Sequence, residues 1–148
     1  MVRGANNLSH IGKEVVIVSA WELMLDICRI ADDKRGRDIA VLDLSHLLPI
    51  TDYFVIITCE NPIHIQALVE ELEQQVKERW GIITLREGEP ESRWVILDCG
   101  DVIVHLFDEA LRRYYDLEGL WGDAIIVKWE NELARIGWSG NQLNRDDA

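Results

Sequence analysis

Basic residues are scarce in this chain: 15 Lys and Arg stand against 27 Asp and Glu in 148 residues, a formal net charge of −12. Nonspecific affinity for nucleic acid comes mainly from Lys and Arg that displace counterions, so a phosphate backbone would repel this chain. A direct, sequence-specific nucleic-acid reader is therefore not expected, and a basic protein is the better partner; solubility alone would account for the charge equally well. Cysteine is sparse too. Cys28, Cys59 and Cys99 are odd in number, far apart and without a CxxC pair, which excludes a disulfide frame and reads as reduced core thiols of a cytoplasmic protein. No apolar run near the N-terminus is long enough for a signal peptide or a membrane span. The chain also has no GxGxxG, GxxxxGK[ST] or GxSxG, so phosphate-cradling loops and nucleophile elbows lack their defining glycines. His10, His46, His64 and His105 are scattered without HExxH or HxH spacing, and neither a metal nor a cofactor is expected.

What the chain does have is apolar content, 48% of its residues, enough for one domain with a two-layer core. Residues 1–18 show no clear period apart from the short run Val15 to Val18 and read as a variable arm. Ser19 followed by Glu22 forms a capping box, and Leu23, Met24, Ile27, Ile30 and Ala31 recur at helical spacing up to Gly36. Asp38 to Leu44 and Asp52 to Cys59 read as strands. Asn61 is an N-cap ahead of Pro62, and Ile65, Leu68, Val69, Leu72 and Val76 make the apolar stripe of a second helix that closes at Trp80 and Gly81. Ile82 to Glu87 is a third strand, Gly88 to Ser92 a turn, and Arg93 to Asp98 and Asp101 to Phe107 form a hairpin. The expected class is α/β, a mixed five-stranded sheet flanked by helices. Strands on either side of the second helix should run parallel. Residues 122–148 form an extension in which Ile125 or Ile126, Trp129, Leu133 and Ile136 permit a short helix. Its two tryptophans favour packing on the domain, and the end from Gly140 reads as frayed.

The densest stretch is Trp94 to Trp121. A symmetric hairpin about Cys99 and Gly100 sets Trp94 opposite His105 and Asp98 opposite Asp101. One face is then apolar (Val95, Leu97, Val102, Val104, Leu106), and the other mixes Trp94, Ile96, Asp98, Asp101, Ile103 and His105. A catalytic His105 needs a nucleophile, and Cys99 at a turn is weak support; a hydrogen-bonded core histidine is the better reading. Asp108 begins a segment rich in Arg, Tyr, Leu and Trp, residue types that supply binding hot spots, although core packing has the stronger claim on any one aromatic.

From about Ser19 to Trp121 the chain resembles the ribosomal silencing factor, or Iojap-like, family. The matching stretches are DIAVLDL, ITDYFVI, His64, Glu87 with Gly88, and above all WVILDxGDVIVHLF followed by RxxYxLExLW. The resemblance implies a domain over residues 19–121 with a nucleotidyltransferase-like fold. It also implies a non-enzymatic factor that binds the large ribosomal subunit through that subunit's ribosomal protein numbered fourteen. Family members thereby block joining of the small subunit and repress translation, organellar relatives act in large-subunit assembly, and a homodimer is implied as well. The family pattern falls on Asp52, Glu87, Trp94, Asp98, Asp101, His105, Arg112, Tyr115, Leu117, Glu118, Leu120 and Trp121. The expected partner-binding set is Trp94, Asp98, His105, Arg112, Tyr115, Leu117, Glu118, Leu120 and Trp121, with Asp98 and Glu118 facing basic groups. Cys59 to Pro62 depart from the Gly-, Thr- or Ser-rich turn usual in the family. The alternative is a nucleotidyltransferase-like, metal-dependent enzyme, which needs closely spaced carboxylates, usually as DxD on one strand. Asp98 and Asp101 are instead separated by a turn.

Overall fold

The structure is a computed structural model that describes residues 7–11 and 14–140. Helix α1 (Ala20–Asp33) starts where expected, with the Ser19 hydroxyl accepting from the Glu22 amide at 3.4 Å. It ends three residues before Gly36, whose amide still bonds the Ala31 carbonyl at 2.8 Å. Helix α2 (Pro62–Trp80) is capped by the Asn61 side chain on the His64 amide at 2.8 Å and stopped by Gly81 at φ +67°. Asp26 ties the two helices together. Burial alone would push its carboxyl up, but hydrogen bonds from Trp80, Arg29 and Arg79 outweigh that and hold it below the usual carboxylate range.

The strands are β3 (Arg37–Asp43), β4 (Tyr53–Cys59), β5 (Leu85–Glu87), β6 (Trp94–Asp98), β7 (Val102–Asp108) and β8 (Ile125–Val127), in the sheet order β5-β6-β7-β4-β3-β8. Among the described strands only β4 and β7 pair in parallel, from Tyr53 opposite Val102 to Cys59 opposite Asp108. Antiparallel steps from β7 to β6 and β6 to β5 leave β5 running with β4 on either side of α2, as expected.

The sheet has six strands, not five. Ile125–Val127, expected in a helix, adds to the free edge of β3 with Leu42 opposite Ile126. A short helix, α5 (Trp129–Ala134), follows, and Trp129 is buried with its indole N–H on the Ile39 carbonyl at 2.8 Å. Three residues of β-branched chain have no period of their own, so a partner edge far away in sequence decides their state. The strand expected over Ile82 to Glu87 shortens to β5, and Gly88 to Ser92 contains one 3-10 turn (Pro90–Ser92). In the region read as an arm without period, β1 (Asn7–Ile11) and β2 (Glu14–Val18) pair antiparallel as a separate two-stranded sheet. The expected frayed end lies, beyond Gly140, outside the described residues.

Helices α1, α2 and α5 cover one face of the sheet around Val41, Val55, Ile57, Val95, Leu97, Val104 and Leu106. The other face is only partly covered. Over Leu42, Phe54, Ile56 and Phe107 lie the short helices α3 (Glu109–Tyr115) and α4 (Leu117–Leu120) with Trp121 and Ala124.

Candidate interaction surface

The β6–β7 hairpin sets the site. Its register differs from the symmetric expectation: Trp94 lies opposite Phe107, Ile96 opposite His105 and Asp98 opposite Ile103. The turn is centred one residue later, on Gly100 and Asp101, closed by the Cys99 amide on the Val102 carbonyl at 2.9 Å. Gly100 takes φ +87° at the first central position, the place where a two-residue hairpin turn of mirrored geometry requires glycine. A shift of two in the pairing sum leaves the faces unchanged, so the mixed face survives and gains Phe107. Asp98 accepts from the Gly100 amide at 2.8 Å, which uses one of its oxygens as a turn cap. The Asp101 carbonyl takes the amides of Asp52 and Tyr53 and the Thr51 hydroxyl, which locks the start of β4 to the turn.

His105 is the centre of an aromatic column. The Trp94 indole N–H donates to His105 Nδ1 at 3.3 Å, so the ring is neutral with its proton on Nε2. Burial pushes its pKa down from 6.5 to about 4. The Phe54 ring meets it edge-on at 4.6 Å, Trp94 stacks on Phe107 at 4.8 Å, and Tyr115 lies 4.6 Å from Trp94. Trp121 closes the other side, edge-on to Phe54 at 6.3 Å. With His105 only 5% exposed, it supports the surface from beneath and does not form it.

Arg112 and Glu118 are engaged with each other. The side chain of Arg112 is 12% exposed; its Nε and Nη2 donate to the two Glu118 oxygens at 3.3 and 3.2 Å. Its Nη1 donates to the Asp38 carbonyl at 2.6 Å and the Thr58 hydroxyl at 2.8 Å, so one guanidinium joins α3 and α4 to β3 and β4. Between the helices, Asp116 takes φ +45° and caps α4 through the Gly119 amide at 3.1 Å. Leu117 is buried beneath.

Of the residues singled out in the sequence, Trp94, Asp98 and Trp121 are therefore half-buried, and Tyr115 and Leu120 stand out at 47% and 70% exposure. His105 and Leu117 are interior, and Arg112 with Glu118 form the bracket that holds the others. The surface extends further than the sequence reading took it. Leu85, 67% exposed, lies opposite Asp98, and Glu87 opposite Ile96, so both join Ile96 and Ile103 on the uncovered half of the sheet. Leu85 and Glu87 alternate as strand residues should, but only the sheet order shows that no helix covers them. Among the described residues no group of three or more His, Cys, Asp or Glu could hold a metal ion, and no helix is long and apolar enough to cross a membrane.

Comparison with known proteins agrees with this architecture. The sequence model described as "Ribosomal silencing factor during starvation" matches residues 18–146, past the Trp121 boundary. The ribosomal silencing factor of Bacillus subtilis is 43% identical over 93 residues, 63% of this chain and 79% of that protein. A mouse protein named for mitochondrial assembly of the ribosomal large subunit is 28% identical over 130 residues, 86% of this chain and 53% of its own length. The crystal structure of a Chromobacterium violaceum protein superimposes with a TM-score of 0.67 at 32% identity, covering 71% of this chain and 88% of that one. With the motif, the sheet and the sequence match in agreement, the chain belongs to the ribosomal silencing factor family.

Proposed function

We propose that this chain is a cytoplasmic silencing factor that binds the large ribosomal subunit through the ribosomal protein numbered fourteen. Its bulk then keeps the small subunit from docking, and translation falls without any catalytic step. The observation that carries this reading is the half-uncovered sheet face, where Leu85, Ile96, Ile103, Trp94, Tyr115 and Trp121 offer apolar area beside the carboxylates of Glu87 and Asp98. An apolar centre with an acidic rim suits a basic protein, whose charge is met at the rim while rigid aromatics supply the contact area. In this reading the domain over residues 19–121 carries the contact: Trp94, Asp98, Tyr115, Leu120 and Trp121 touch the partner, His105 and Leu117 support them, and Arg112 and Glu118 position the helices.

The test is co-sedimentation with separated large subunits, followed by addition of small subunits. The protein should pellet with large subunits and suppress formation of whole ribosomes. Leu85→Asp and Tyr115→Ala, both at exposed positions, should weaken binding by about tenfold or more, as hot-spot losses do. Failure to pellet at micromolar protein in moderate salt would sink the reading, and unchanged affinity in both variants would move the contact elsewhere. The family resemblance also supports a homodimer, which sedimentation velocity of the free protein would detect as a doubled mass.

A further inference from the structure

At the end of the sheet opposite the β6–β7 turn lies a cleft of about 640 Å³. It opens where the two parallel strands end, and Cys59 and Asp108, partners in the register, are part of its lining. The carboxyl ends of parallel strands are where open α/β sheets receive small ligands, and the volume is within the range of about 300–1,000 Å³ usual for such sites.

The charges in the cleft are unevenly matched. Asp108 pairs with Arg93 at 3.4 Å and caps the Leu111 amide at 2.8 Å, Glu109 pairs with Arg113 at 2.8 Å, and Glu60, exposed at the edge of the cleft, makes no ion pair among the described residues. Arg37 differs from these. Its Nε is shut off from solvent and has no hydrogen-bond partner among the described residues. No acidic side chain among them lies within ion-pair distance of its guanidinium either. That Nε is out of a ligand's reach, but the two terminal nitrogens also donate no hydrogen bond among the described residues and are not shut off, so they are the donors the cleft presents, and a charged acceptor answers them best. Arg37 also begins the irregular stretch of β3, where the pairing register shifts between Arg37 and Ala40 and Asp38 takes φ +49°. Arg112 holds that bulge through the Asp38 carbonyl. Bulges re-aim a side chain, and this one sends a cation to the cleft. At the mouth, Tyr114 is 79% exposed and set edge-on to Tyr115 at 5.0 Å, which leaves a ring face open.

We propose that this cleft binds a small molecule with an oxyanion head, phosphate or carboxylate, that bonds Arg37, and with a flat ring that lies on Tyr114. The cleft adjoins the sheet face proposed for the ribosome only through the Tyr114–Tyr115 contact, and failure of the probes to bind would leave that reading untouched.

Titrations of the full-length protein with phenyl phosphate, benzoate and inorganic phosphate, followed by amide NMR shifts, test the proposal. At least one ring-bearing probe should saturate with a Kd below about 1 mM, and the order of phenyl phosphate and benzoate identifies the head. Arg37→Gln should weaken that probe at least tenfold. Arg35→Gln, which removes the same charge at an exposed position outside the cleft, should not. Tyr114→Ala should bring phenyl phosphate down to the affinity of inorganic phosphate and leave the latter unchanged. No saturation by any probe up to about 10 mM, or equal losses in the two arginine variants, would overturn the proposal. If Arg37→Gln fails to fold, Tyr114→Ala decides: undiminished binding of the ring-bearing probes rejects the site.

Discussion

His105 shows how a single residue can shape an exposed face from the interior, through the Trp94 and Phe54 rings that it holds. Its ring is neutral in the folded state down to about pH 4, whereas in the unfolded chain it titrates near 6.5. Because the folded value is the lower one, the unfolded state binds the proton first as pH falls. The stabilisation by neutral His105 is complete above about pH 6.5 and is lost progressively between there and pH 4. At pH 5 the loss is on the order of 2 kcal/mol. Urea unfolding at pH 7.5 and pH 5 should show it in the parent chain, and His105→Phe should remove that part of the pH dependence. An equal slope in both proteins would mean that the carboxylates alone set it. The sequence brought Trp94 and His105 together on one face but directly opposite each other, whereas the observed register sets them diagonally, joined by the indole bond. The turn glycine decided that difference: Gly100 serves at the first central position, and nothing in the flanking alternation distinguishes the two registers.

Among the elements, α3 and α4 have the least support of their own. Seven and four residues long, they fall below the length at which a helix persists in water, and they depend on what pins them. Arg112 is the pin. Its replacement by Ala should leave the Thr58 hydroxyl and the Asp38 carbonyl unanswered and cost about 2–4 kcal/mol by thermal or denaturant unfolding. Lysine should not rescue it, because an ammonium cannot meet two helices and two strands with the geometry of a guanidinium fork. If Arg112→Lys unfolds at the parent temperature, the bracket has no structural role. Gly88 is a second such point, with φ +86° and a position where a Cβ would come within 2.5 Å of the Trp94 carbonyl. Gly88→Ala should therefore be strongly destabilising, with a fall in melting temperature of several degrees or more.

How much of each element was legible follows from where its cause lies. Helices α1 and α2 carry their own stripe and caps, so Ser19, Asn61 and Gly81 mark their ends in the sequence as they do in the structure. Strand β8 and the uncovered position of Leu85 have causes elsewhere in the chain. Ile125–Val127 needs the edge of β3, and the exposure of Leu85 follows from helices that lie on the other face.

For the molecule as a whole, the acidic balance and the buried thiols set two expectations. Binding to a basic partner should weaken as salt rises through the range where the Debye length falls from about 10 to 3 Å, and affinity that is indifferent to salt would argue for an apolar contact alone. All three cysteines are buried and free, and burial pushes the thiols of Cys59 and Cys99 up to about 12. A thiol reagent should therefore leave the folded protein unmodified and react with three equivalents on unfolding, so labelling reports global opening.

The sheet order also dictates when the protein can become itself. Strands β3 and β4 pair with each other across a short connection, but β4 also needs β7, about a third of the chain further on, and β3 needs the edge strand β8, more than half the chain further on. Pairings of such separation are slow to form, because the intervening loop must be closed before any contact repays it. A chain in which β7 and β8 have not yet arrived can therefore form the β3–β4 pair but leaves the outer edge of each of these strands open. The half-uncovered face over Phe54 and Phe107 thus comes into being only once these distant segments have met.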